Sequence, residues 1–147
     1  FETEQTEKEK EIYRLRTVEL AAANTELERL SQELFKQANE DPLTGLFNRR
    51  RLEQELSREL ERARRSAGTL SVMICDIDNF KQVNDRFSHQ TGDFVLQRVG
   101  KILKRYVRGA DVVARYGGEE FVILFPEASA TEALIVCDRL REHIAAA

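Results

Sequence analysis

Apolar positions along this chain switch repeatedly between helical and strand periods, and each switch marks a new element. From Phe1 to about Asn39 there is no proline or glycine, charge is dense, and Leu20, Leu27 and Leu34 recur every seventh position, with Ala23 and Leu30 between them. That is a heptad seam of period 3.5, which predicts a helix that pairs with another helix. Ile12 and Leu15 lie out of this register, a slip resembling a stutter, which locally unwinds a supercoil. At 1.5 Å per residue the helix spans roughly 50–60 Å and cannot bury its stripe against itself. A parallel homodimer through this coiled coil is the expectation. The alternative is a lone amphipathic helix packed on its own domain.

Beyond Asn39 the pattern becomes that of a mixed α+β domain. The Asp41-Pro42 step ends or kinks the first helix, because proline disfavours helix in the residue before it. Asp41 to Gly45 then reads as a hinge. Asn48 is a suitable N-cap for a helix through about Arg65 with Leu52, Leu56 and Leu60 on one face. Leu70–Cys75 is a short apolar run and reads as a buried strand. A short helix follows over Asn79–Phe87, then a longer one over Asp93–Tyr106. Val112–Tyr116 and Phe121–Phe125 read as two strands joined at Gly117-Gly118. Pro126 stops the second, and Ala130–Ile144 forms the last helix.

The chemistry concentrates where these elements end. A Gly-Gly pair between β-rich runs reads as a hairpin turn, since glycine reaches positive φ without steric cost. Such a turn at Gly117 and Gly118 lets the backbone approach a phosphate, and Glu119 and Glu120 beside it suit the hard cation that a triphosphate carries. A purely structural hairpin would need the glycines but not the carboxylates. The Leu70–Cys75 strand ends in Asp76-Ile77-Asp78, two carboxylates at a spacing that puts them on one strand face. Phe80-Lys81, Asn84-Asp85 and Gly92-Asp93 follow. Lysine supplies a point charge for phosphate. Asn and Asp together can read the donor and acceptor edge of a base such as guanine. Taken singly, each of these is a solvated surface group; their order and density favour a nucleotide site.

Composition narrows the field. The chain has 147 residues and a formal net charge of −3, room for one modest domain plus the helix. That charge does not suggest a nucleic-acid partner. No apolar run is long enough to span a membrane. Cys75 and Cys137 fall inside predicted elements and read as reduced core residues of a cytoplasmic protein. His89 is assigned no chemistry, and His143 reads as helix surface.

Four motifs in order resemble the GGDEF family of diguanylate cyclases: Asp41-Pro42-Leu43-Thr44-Gly45-Leu46-Phe47-Asn48-Arg49-Arg50, Asp76 through Asp85, His89-Gln90-Thr91-Gly92-Asp93, and Gly117-Gly118-Glu119-Glu120-Phe121. Ser88 stands where the family usually has glycine. The resemblance runs from about Asp41 to the C-terminus. It implies a palm-like central sheet flanked by helices, as in nucleotidyl cyclases, and divides the chain into a signalling helix, 1–40, and a GGDEF domain, 41–147. It also implies the condensation of two GTP to cyclic di-GMP and two pyrophosphates. By the same resemblance Asp76 and Glu119 hold Mg²⁺ (or Mn²⁺) with the carbonyl of Ile77, Asn84 and Asp93 recognise guanine, Phe80 and Lys81 line the phosphate path, and Glu120 supports. Arg108-Gly109-Ala110-Asp111 resembles the family's RxxD site for inhibitory product; Arg115 also fits the family pattern and is grouped with that site, the hairpin site being the alternative. The alternative for Arg108 and Asp111 is a surface ion pair.

GGDEF domains usually continue past the position of Ala147 with a further strand and helix. The chain is therefore expected to be a piece of a larger sensor protein, with an upstream sensory domain, an exposed sheet edge and a parent that is cytoplasmic or membrane-anchored. Two rival functions stand beside the cyclase: a module that binds GTP or cyclic di-GMP without turnover, and an inert scaffold dimerised by the helix.

Overall fold

The computed structural model describes residues 2–147 and divides into two compact units, the first ending at Ala38 and the second running from Asn39 to Ala147. The first is a single helix, α1 (Glu2–Asn39). Its seam residues Leu20, Leu27, Leu30 and Leu34 are all exposed in the single chain. Apolar area left in water this way is the driving force for association. The helix stops at Asn39, just short of the Asp41-Pro42 step.

The second unit is built from α2 (Arg49–Ser66), β1 (Leu70–Asp76), α3 (Phe80–Arg86), α4 (His89–Tyr106), β2 (Val112–Gly117), β3 (Glu120–Pro126) and α5 (Ala130–Ala146). The strands form an antiparallel sheet in the order β1-β3-β2. β3 is central and, from Phe121 to Pro126, apolar and buried, as befits a strand covered on both faces. Phe121, Ile123 and Phe125 point to one side, where they meet Leu96, Val99 and Leu103 of α4 and Leu140 of α5. Val122 and Leu124 point to the other, against Leu52 of α2 and Val112 and Ala114 of β2. The fold is α+β, as the sequence pattern implies.

Capping explains most element boundaries. Asn48 Oδ1 accepts from the Arg51 amide at 2.9 Å and starts α2. Ser129 and Glu132 form a reciprocal capping box at α5. Three expectations are corrected. α4 begins at His89, not Asp93, because Ser88 caps it by accepting from the Thr91 amide at 3.1 Å. A cap hydroxyl outweighs the helix-breaking tendency of Gly92. β1 ends at Asp76, so Asp78 lies beyond the strand and period-2 geometry does not align the two carboxylates. His143 is half-buried, its ring stacked on Tyr106 at 3.9 Å between centroids.

Cys75 and Cys137 are free thiols packed at the edge of the main core. Burial pushes both pKa values up, helped at Cys75 by Asp76 and Asp78, so they stay protonated at neutral pH. Ile123 is fully buried at the centre of the sheet. Ile123→Ala is expected to destabilise the second unit by about 2–5 kcal/mol, the range for emptying a core position, read from the urea midpoint at unchanged slope.

Candidate functional site

The register of β1 against β3 assembles the acidic end of the sheet. Asp76 lies directly opposite Glu120, and one step further the Ile77 amide donates to the Glu119 carbonyl at 3.3 Å. Carboxylates at positions 76, 119 and 120 are thereby gathered from segments more than forty residues apart in sequence. Asp76 and Glu120 are exposed and Glu119 is half-buried.

The hairpin is present, but its glycines work differently from the expectation. Neither Gly117 nor Gly118 adopts positive φ; the glycine that does is Gly45, at +70°. A Cβ at Gly118 would meet nothing within 4 Å, and one at Gly117 would meet only Glu120 Oε2 at 3.6 Å. The pair therefore keeps one side of the loop open to a ligand. The ladder shifts register between Arg115 and Gly117, which leaves Tyr116 bulged out of the pairing. Arg49 of α2 covers the Tyr116 ring at 4.6 Å.

A second wall comes from α3 and α4. Gly92 is buried, and a Cβ there would fall 1.8 Å from Asn84 Oδ1 and 3.1 Å from Phe80 Cζ. Gly92 is thus the vacancy into which the Asn84 amide fits. Asn84 Oδ1 is buried and, among the described residues, has no hydrogen-bond partner. A buried acceptor left without a donor is costly. Phe80 does not line an open path: its ring is 8% exposed and belongs to the core, where it supports this wall from below. Lys81 and Asp93 are exposed beside it.

Arg108 and Asp111 sit at the far end of the hairpin. Val112 pairs with Leu124 at that end, whereas Gly117 pairs with Glu120 at the acidic end. The two residues hold each other: Arg108 Nη2 is 3.1 Å from Asp111 Oδ1 and also donates to the Pro126 carbonyl at 3.1 Å. The Asp111 carboxylate is 1% exposed while the arginine remains mostly in solvent. Arg115 does not join them. Its guanidinium donates to the Gly118 carbonyl and pairs with Asp41, so it belongs to the turn.

Sequence reasoning read Asp41 as the start of a hinge and gave neither it nor Thr44 a role at the site, although an Asp followed three residues later by Thr is a turn signature. Asp41 Oδ2 accepts from the Thr44 amide at 2.8 Å and the Thr44 hydroxyl at 2.7 Å. The Asp41 amide donates to the Leu46 carbonyl at 2.7 Å. The stretch read as a hinge is a closely bonded turn. Burial opposes the Asp41 charge, but the Thr44 hydrogen bonds and the Arg115 guanidinium outweigh it and hold the carboxyl below its ordinary value.

Among the described residues, no three acidic, histidine or cysteine side chains stand close enough to hold a metal unaided. This fits Mg²⁺, which usually takes one or two protein carboxylates and completes its shell with water and substrate phosphate. Asp76, Glu119 and the Ile77 carbonyl suit that partial role. The carbonyl receives only a long contact from the Phe80 amide, 3.4 Å, and keeps a lone pair free.

A family model described as "Diguanylate cyclase, GGDEF domain" matches residues 38–147. The chain belongs to the GGDEF family. This GGDEF chain is 46% identical over 106 residues to the diguanylate cyclase DgcP of Pseudomonas aeruginosa, covering 72% of the chain and 16% of DgcP. It is 42% identical over 120 residues to the diguanylate cyclase DosC of Escherichia coli K12, covering 78% of the chain and 26% of DosC. It therefore spans about a quarter or less of these relatives. Among solved structures, the coiled coil and GGDEF domain of DgcB from Caulobacter crescentus, in complex with c-di-GMP, superposes with a TM-score of 0.74 at 34% identity, over 84% of this chain and 66% of that one. Among the described residues, no helix is long and apolar enough to cross a membrane.

Two outcomes test this geometry. Gly92→Ala should displace the Asn84 amide and weaken GTP binding at least tenfold, measured by calorimetry, while Gly109→Ala, which meets open space, should not. The lowered Asp41 carboxyl contributes stability above its unfolded pKa of about 3.9, and that contribution is lost as pH falls through the folded value. Asp41→Asn should therefore be less stable than wild type at pH 6, and the gap in urea midpoint should narrow as pH falls below about 3.9.

Proposed function

We propose that this chain is a diguanylate cyclase domain that condenses two GTP into cyclic di-GMP, acting as a homodimer through α1. The observation that carries this reading is the β1–β3 register. It brings Asp76 and the Gly117-Gly118-Glu119-Glu120 loop to one end of the sheet, beside the Asn84–Gly92 wall.

Each 3′-hydroxyl attacks the α-phosphorus of the other GTP. The new ester bond forms, the bond to pyrophosphate breaks, and the hydroxyl proton passes to a carboxylate or to solvent. Such chemistry asks the protein mainly for positioning and charge neutralisation. Asn84 and Asp93 orient guanine through its polar edge. The open loop at Gly117 and Gly118 lets the triphosphate lie against the backbone, and Lys81 offsets its charge. Asp76, Glu119 and the Ile77 carbonyl would hold Mg²⁺ or Mn²⁺, which when bound neutralises phosphate charge and acidifies the attacking hydroxyl. In this reading Glu119 also receives the proton, with Glu120 as a neighbouring acidic group.

One domain presents one such site, so the reaction needs two domains face to face. The exposed leucine seam of α1 supports a parallel coiled coil, which raises the local concentration of one domain around the other. Arg108 and Asp111 form the candidate product site for feedback inhibition. There a cyclic dinucleotide would compete for the arginine fork and carboxylate that now bind each other.

The test is product formation from GTP and Mg²⁺. The wild type should make cyclic di-GMP, and Glu119→Gln should lose about 10²–10³-fold, the scale for removing one preorganised charge-stabilising group. Arg108→Ala should keep the initial rate but no longer slow as product accumulates. GTP binding without turnover in the wild type would overturn the cyclase reading in favour of a binding module. Inserting four residues after Leu34 should alter output while inserting seven should preserve it, because only the latter keeps the heptad phase. Equal output from both would contradict control through the coiled coil.

A further inference from the structure

The ladder of the β2–β3 hairpin stops short of its own loop. Arg115 faces Phe121 in register, but the shift between Arg115 and Gly117 removes regular pairing where the acidic residues begin. Gly118 has open space around its Cα. A two-residue loop of this kind, next to a bulge and carrying the Glu119 carboxylate, has few constraints of its own.

Two contacts from outside supply them. Arg115 donates to the Gly118 carbonyl twice, from Nε at 3.0 Å and Nη2 at 2.8 Å. The Ile77 amide donates to the Glu119 carbonyl at 3.3 Å. These are the peptide units on either side of the Glu119 Cα, so together they fix the direction in which its carboxylate leaves the backbone. The Arg115 fork is itself held: Nη1 lies 3.2 Å from both oxygens of Asp41, each side chain of the pair is only 17% exposed, and Thr44 anchors the same carboxylate. The Arg115 backbone is anchored as well, its amide donating to the Phe47 carbonyl at 2.9 Å.

We infer that Arg115 is a positioning residue for Glu119, and that Asp41 and Thr44 are the support that aims it. This rests on the reading of Glu119 as a metal-holding carboxylate. The Arg115 side chain is engaged by the Gly118 carbonyl and the Asp41 carboxylate, so it acts on Glu119 through the loop backbone. It sets how far the Glu119 oxygens stand from the Asp76 end of the sheet, and so how much metal the nucleotide complex needs. A planar guanidinium with donors on two edges can bridge a carbonyl and a carboxylate at once; a lysine ammonium on a flexible stem cannot hold both at this geometry.

The experiment measures free Mn²⁺ by electron paramagnetic resonance as it is titrated into the full chain with an excess of a non-hydrolysable GTP analogue. Wild type, Arg115→Ala, Arg115→Lys, Asp41→Asn and Glu119→Gln are compared, with folding checked by circular dichroism. Arg115→Ala should raise the midpoint for protein-bound Mn²⁺ about 10–100-fold, the usual cost of removing a partner that orients a metal ligand. Arg115→Lys should fall with Ala rather than with wild type, and Asp41→Asn should lie between. A merely structural arginine would lower the melting temperature and leave this midpoint in place. If Arg115→Ala does not fold, Arg115→Lys decides the matter, and a wild-type midpoint for it overturns the inference. If Glu119→Gln itself leaves the midpoint unchanged, the metal role of Glu119 fails first and the inference falls with it. A shift for Glu119→Gln with none for either Arg115 variant refutes the positioning role alone.

Discussion

Everything in the second unit depends on the register of β1 against β3. The pairing that sets Met73 against Ile123 also sets Asp76 against Glu120. Side chains alternate along a strand, so a slip of one residue would turn Phe121, Ile123 and Phe125 away from α4 and α5. The same slip would separate the carboxylates. The core thus enforces the site: the strong preference of the three large side chains for one face fixes where Asp76 ends up. No local feature at Asp76 does so, since that residue is exposed.

The hairpin divides the domain into two chemically distinct ends. At the loop, negative charge collects around an open backbone, an arrangement suited to a cation and a polyphosphate. At the base, Arg108 and the buried carboxylate of Asp111 satisfy each other and the Pro126 carbonyl. Arg115 lies between these ends in sequence but serves the loop in space. Its fork carries order from the Asp41 turn into the Gly118 peptide, where the ladder has already broken.

Much of this was legible in the chain itself. The heptad leucines announced α1, the pre-proline constraint placed its end, and Asn48 marked the start of α2. The apolar run of β3 and the Gly-Gly step gave the hairpin. What escaped was tertiary. Gly92 reads as a breaker, but it lies inside α4 because Ser88 caps the helix and Asn84 needs the space. Phe80 sits in a motif of polar residues yet is drawn into the core by its ring. Arg115 fits the family pattern at either site, and only the fold shows that Asp41, more than seventy residues away, claims it. Backbone freedom at Gly117 and Gly118 was inferred from residue type, while neither glycine adopts positive φ in the structure.

The most direct test of the central claim, that substrate and metal meet at the loop end of the hairpin, is paramagnetic broadening of backbone amide signals by Mn²⁺ added with a non-hydrolysable GTP analogue. The account predicts loss of the Ile77, Gly118 and Glu119 signals while those of Arg108, Gly109 and Asp111 stay sharp. Broadening centred on Arg108 and Asp111, or spread without focus over the acidic surface, would contradict it.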